Sequence, residues 1–129
     1  MFKILPIQNV NEQAEVAKAC GGICREGFFA YAMRDAESGE IMGFSQFEIN
    51  GDEGYISELL EPIGRNDFEA MFILGRQTMN FIDTCGAHIC HIRDDGCDDK
   101  LIRAIGFKHD GKKYSVDMTG MFDGKCGNH

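Results

Sequence analysis

The dipeptide Asn50-Gly51 lies between IMGFSQFEI (41–49) and EGYISELLE (53–61), two runs rich in apolar residues. Asn-Gly favours the left-handed backbone of a tight hairpin turn, so the two runs are expected to pair as antiparallel strands. The next segment narrows the fold further. The stretch LEPIGRNDFEA (60–70) leads into a pattern in which Phe68, Met71, Phe72, Gly75, Met79 and Ile82 recur at helical spacing. That pattern predicts a long helix stopping at Gly86. Ile73, Leu74 and Phe81 lie off the stripe, which implies cover on more than one side.

The rest of the chain supplies elements around this unit. FKILPI (2–7) reads as a first strand stopped by Pro6. NVNEQAEVAKAC (9–20) reads as a helix with Val10, Ala14, Val16 and Ala17 on its apolar face, Asn11 as its cap and Gly21-Gly22 as its end. FFAYAMRD (28–35) is strand-like, with AESGE as the following turn. Beyond the long helix, AHICHIR (87–93) reads as a buried strand and DDGCDDKLIRAIGF (94–107) as a helix, acidic in its first turn and ended by Gly106. Asp110-Gly111 marks a hairpin before KKYSVDM (112–118). The predicted class is α/β (α+β): a mixed, mostly antiparallel sheet of six to seven strands with about three helices. One domain is expected over 1–118, followed by a glycine-rich, flexible tail over 119–129.

A chain of 129 residues with 43% apolar content and ten phenylalanines can bury one core. Thirteen basic against 21 acidic residues leave a net charge of −8. No basic patch stands out, so nucleic acid and anionic membranes are not expected partners. No apolar run approaches the roughly 18 residues of a membrane span. MFKILPIQNVNEQ turns polar too early for a secretory signal. A cytoplasmic location is expected, and with it six reduced cysteines: Cys20, Cys24, Cys85, Cys90, Cys97 and Cys126. None of them pairs into repeated CxxC, so no metal site is expected.

The element order, with LEPIGRNDFEA between the fourth strand and the long helix, resembles the GNAT acyltransferase superfamily over most of 1–118. The family's loop reads roughly V-x-P-x-x-R-G-x-G-x-G/A, and Leu60, Pro62, Arg65 and Ala70 match it. Leu101, Ile102, Gly106 and Phe107 resemble its late L-Y-x-x-x-G-F segment. The resemblance implies acetyl-CoA as cosubstrate, its pyrophosphate held by loop N–H groups and the long helix's N-terminus. Residues implied at that site are Leu60, Ile63, Gly64, Arg65, Asn66, Phe68 and Ala70, with Arg65 as a bidentate phosphate donor. Read from the sequence alone, Arg65 equally fits a surface ion pair with Glu61 or Asp67. For a general base, Glu58, two residues before Leu60 and facing the same side, is the candidate, the alternative being a solvated strand-edge glutamate.

The departures concern chemistry. Asn66 and Phe68 replace loop glycines, and Asp67 and Glu69 bring negative charge where phosphate would sit. Asn66 with Glu69 also fits a helix capping box, a purely structural use. Ile102 stands where the family often has a proton-donating tyrosine; Tyr114 or Cys97 are alternatives, each more often packing or surface. His88 and His91 flank the fifth strand on opposite faces, and one of them fits a satisfied core residue. Two functions are expected in consequence. One is an acetyl-CoA-dependent N-acyltransferase acting on a small-molecule or peptide amine, its acceptor loops near Ala17–Gly27 and Asp110. The other is a catalytically inactive GNAT-fold binding or scaffold protein, with a homodimer through exposed strand edges as one arrangement.

Overall fold

The computed structural model describes residues 1–93 and 98–122. Seven strands form one sheet: β1 (Phe2–Pro6), β2 (Phe29–Asp35), β3 (Ile41–Asn50), β4 (Glu53–Leu60), β5 (Ile89–Ile92), β6 (Lys108–His109) and β7 (Tyr114–Asp117). Their spatial order is β1-β2-β3-β4-β5-β7-β6. All pairs are antiparallel except β4 with β5, which run parallel. A parallel pair needs a crossover, and here it is the long helix α2 (Phe68–Thr84). Helix α1 (Val10–Ala19) links β1 to β2, and α3 (Asp99–Ile105) links β5 to β6. The predicted class and strand count hold.

The sheet separates two cores. On one face, α1 brings Val16, Ala17 and Cys20 against Ala30, Ala32 and Phe44. On the other, α2 and α3 pack Met71, Leu74, Met79, Ile82, Leu101, Ile102 and Ile105 against Phe47, Ile56, Cys90 and Ile92. The buried stripe of α2 runs through Met71, Leu74, Gly75, Thr78, Met79 and Ile82. Leu74 is thus central to the packed face, whereas Phe68, at the first helical position, is 44% exposed. Thr78 is tolerated inside because its hydroxyl is shared with Ser45 Oγ (2.8 Å) and the Leu74 carbonyl (2.9 Å). At Gly54 in β4, a Cβ would stand 2.4 Å from Ile82 Cγ2, so only glycine admits α2 this close.

Several local expectations change. Asn9, not Asn11, caps α1, accepting from the Glu12 N–H at 2.8 Å. Val10 and Ala14 are exposed, and Gln13 takes the inner face with Val16 and Ala17. The core also extends past residue 118: Met121 and Phe122 pack against it. The rest of the expected tail, 123–129, and the expected helical start at 94–97 lie outside the described residues. Among the described residues, no helix is long and apolar enough to cross a membrane. Cys20, Cys24, Cys85 and Cys90 are unpaired thiols.

Candidate functional site

Strands β4 and β5 part midway along β4. Their pairing covers Glu53–Ile56 against Ile89–Ile92, and its last link is the Arg93 N–H to the Ile56 carbonyl, 3.1 Å. β4 continues to Leu60 held only by β3, so among the described residues no strand pairs with Ser57–Leu60 on the β5 side. At the same point β4 carries an extra residue. Gln46 lies opposite Glu58 and Phe47 opposite Ile56, leaving Ser57 as a bulge. Such a bulge re-aims neighbouring side chains. Here Ser57 and Glu58 are both buried, consecutive though they are.

A cavity of about 270 Å³ opens over this bulge, lined by Gly21, Gly22, Ile23, Ser57, Glu58, Leu60 and Arg93. Its roof is the segment after α1, and the approach is close. A Cβ on Gly22 would stand 2.8 Å from Leu60 Cδ1 and 3.3 Å from Glu58 Cγ. The floor is a polar network. Gln46 uses all four of its hydrogen-bonding positions: its Oε1 accepts from Gln13 Nε2 (2.6 Å) and the Arg25 N–H (2.9 Å), and its Nε2 donates to the Ile23 carbonyl (2.9 Å) and Glu58 Oε1 (2.6 Å). Ser57 Oγ donates to the Glu58 carboxylate as well. Two arginines complete the shell. Arg25 sets Nε and Nη2 against the two Glu58 oxygens at 3.3 and 3.4 Å, and Arg93 Nη1 reaches Oε2 at 3.3 Å. Glu58 is therefore no solvated strand-edge glutamate but a 5% exposed carboxylate between two guanidiniums.

The loop after β4 differs from expectation in its cap. The N-cap of α2 is Asp67, whose carboxylate accepts from the Ala70 N–H at 3.0 Å; Asn66 and Glu69 do not form the box. The helix starts one residue later than that box requires, which puts Ala70 at the position whose side chain should reach back. Glu61 performs that part from the other direction, accepting the Asp67 N–H at 2.8 Å. Arg65 turns its N–H back to the Pro62 carbonyl (2.9 Å), and Gly64, at φ +90°, makes the turn that allows this. The Ile63 N–H faces the Ala19 carbonyl at 3.5 Å. The N–H groups of Gly64, Asn66, Phe68 and Glu69 donate to no described group.

Of the expected cofactor residues, Leu60 lines the cavity, while Ile63 (82% exposed), Gly64, Asn66 and Phe68 form an open rim. Ala70 is buried, with its N–H already used by Asp67. Arg65 makes no ion pair with Glu61 or Asp67, and its Nε is buried without a partner among the described residues. The proton-donor alternatives fare worse. Ile102 is fully buried, and Tyr114 is packed in the core with the His109 ring 4.7 Å away and Arg103 over its face. Cys97 lies outside the described residues. His88 pairs with Asp83 and His91 Nε2 with Glu53, both at 2.6 Å; neither histidine lines the cavity. Gln13, Arg25, Gln46, Ser57 and Arg93 belong to the site without belonging to any sequence motif. The nearest signal is the polar pair Ser45-Gln46, which interrupts an otherwise apolar strand.

No protein-family model and no curated protein sequence matches the chain. Solved structures do match in shape. Mutant forms of spermidine/spermine N-acetyltransferase SpeG from Vibrio cholerae align with a TM-score of 0.70 at 10% identity, over 92% of this chain and 96% of theirs. The chain has the GNAT fold. The ribosomal-protein-S18-alanine N-acetyltransferase of Escherichia coli aligns at 0.66 and 10% identity, over 90% of each chain. PaiA N-acetyltransferase of Thermoplasma acidophilum, in complex with coenzyme A, aligns at 0.62 and 13% identity, over 88% of this chain and 96% of its own. At such identities the GNAT fold is what is shared.

Proposed function

We propose that the protein is an acetyl-CoA-dependent N-acyltransferase. The observation that carries this is the parting of β4 from β5 beside a helix N-terminus with unused donors. Pantetheine is a slim chain with amides, and the unpaired edge of Ser57–Leu60 offers it backbone partners. The N–H groups of Gly64, Asn66, Phe68 and Glu69, with Arg65, would take the pyrophosphate. The thioester would then lie over the bulge, next to the cavity. The amine attacks its carbonyl carbon, the new C–N bond forms as the C–S bond breaks, and the amine's proton passes to Glu58 or to a water it holds. Accepting that proton requires an arginine bond to open. Those bonds, at 3.3–3.4 Å, are the long ones, while Gln46 stays at 2.6 Å. The departing thiolate takes its proton from solvent, since Ile102 has none to give.

A specific observation favours the scaffold reading: Glu61 and Asp67 occupy two of the loop's N–H groups, standing where phosphate oxygens would. A carboxylate about 6 Å from one phosphate charge costs about 3 kcal/mol at an effective dielectric near 20, less when screened. A thermal titration with acetyl-CoA separates the two. The transferase reading expects a rise of roughly 10 °C at one hundred times the dissociation constant, where binding adds about 2.7 kcal/mol. No rise at millimolar ligand leaves the scaffold reading.

A further inference from the structure

We infer that the acceptor bears a carboxylate close to its amine, as an α-amino acid does. This deepens the transferase reading and rests on it for the word acceptor, but the recognition itself stands on the cavity floor. Among the described residues lining the cavity Glu58 is the one carboxylate, and its charge is already met by guanidinium groups. A polyamine entering there would bring several cations to described walls whose carboxylate, Glu58, is taken. A ligand carrying its own anion brings the counter-charge with it.

The arginine on the loop side is placed with care. The main chain of Arg25 is held at both ends, its N–H by Gln46 Oε1 (2.9 Å) and its carbonyl by Gln13 Nε2 (3.1 Å). Only Nε and Nη2 are given to Glu58, and Nη1 donates to no described group. Arg25 is not itself a wall of the cavity; its side chain is 35% exposed and borders the cavity through Glu58, so a ligand that takes Glu58 meets it there. A planar fork held in position from its own backbone suits a second planar anion, which a flexible ammonium would not.

An amino acid also solves the desolvation problem. Its ammonium can pair with Glu58 while its carboxylate takes up the Arg25 guanidinium that Glu58 releases. One ion pair is exchanged for two, and no buried charge is left alone. A simple amine would free Arg25 without compensating it. With Ile23 and Leu60 as the apolar walls and Gly21-Gly22 above, the remaining space fits a small side chain.

The test is thermal-shift titration of the full chain, without coenzyme A, against the common amino acids, their N-acetyl derivatives, the matching carboxamides and spermidine. At least one acid should raise the melting temperature, with its carboxamide binding at least tenfold more weakly and spermidine not at all. Arg25→Ala should abolish that preference for acid over amide, and Arg25→Lys should restore part of it. Should Arg25→Ala unfold, the lysine variant and the acid–amide comparison on the native chain still decide. Equal binding of acid and carboxamide, binding of spermidine alone, or no acid that binds would overturn the inference. A parallel titration with coenzyme A reports on the transferase reading separately.

Discussion

Glu61, Asp67 and Gln46 carry the strongest single-residue consequences. Asp67 caps α2, and under the proposed function its charge opposes phosphate. Serine also caps a helix but carries no charge, so Asp67→Ser should leave the melting temperature within a few degrees. It should also raise coenzyme A affinity about tenfold in calorimetry, half or less of the unscreened repulsion. Glu61→Gln should act in the same direction. Gln46 is different, because four groups depend on it. Gln46→Leu should cost about 3 kcal/mol in a denaturant titration, since the buried partners it leaves unsatisfied each carry a desolvation penalty. Glu58→Gln keeps the shape while removing the carboxylate. If Glu58 is the base, it should lower kcat at least a hundredfold with little change in coenzyme A affinity.

At the scale of elements, the close approach of α2 to the sheet is set at Gly54. A Cβ there would meet Ile82 at 2.4 Å, and Ile82 is fully buried, with little space to yield into. Gly54→Ala should therefore destabilise by about 1–3 kcal/mol, and an accompanying Ile82→Val should recover part of that, read from paired denaturant curves. The elements themselves are largely legible in the sequence. Asn50-Gly51 and Asp110-Gly111 mark their hairpins, and the α2 pattern is long enough to stand on its own period. The site is less so. Asn66 and Asp67 are equally good caps by propensity, and only the exit of the chain from β4 decides between them. The bulge at Ser57 is a property of two strands together and leaves no mark in either alone. Gln13, Gln46 and Glu58 meet across 12 to 35 positions of chain with Arg25 and Arg93, a distance over which no local pattern speaks.

At the scale of the whole molecule, the two cores respond together to alkaline conditions. Burial pushes the Cys20 thiol up to about 11, helped by the charge of Glu61, and pushes Cys90 up to about 12 by burial alone. Both values lie above the ordinary 9.0, so the folded state keeps its thiol protons longer than the unfolded chain. Stability is fully present below pH 9 and falls as pH rises through 9 to 12. The melting temperature should drop over that window, and Cys90→Ala should flatten part of the drop. Cys20 bridges this chemistry to the site, since it closes α1 just before Gly21-Gly22 and senses Glu61 on the loop before α2.

Under the proposed function, the gap between β4 and β5, with the donors opening α2, receives coenzyme A. Amide-resolved NMR during a coenzyme A titration tests it most directly. The amides of Gly64, Asn66, Phe68 and Glu69 should shift together with those of Ser57–Leu60, saturating on one curve, and Arg65→Ala should move that curve to higher concentration. Unmoved amides at millimolar coenzyme A, or a response confined to another face of the sheet, would contradict it.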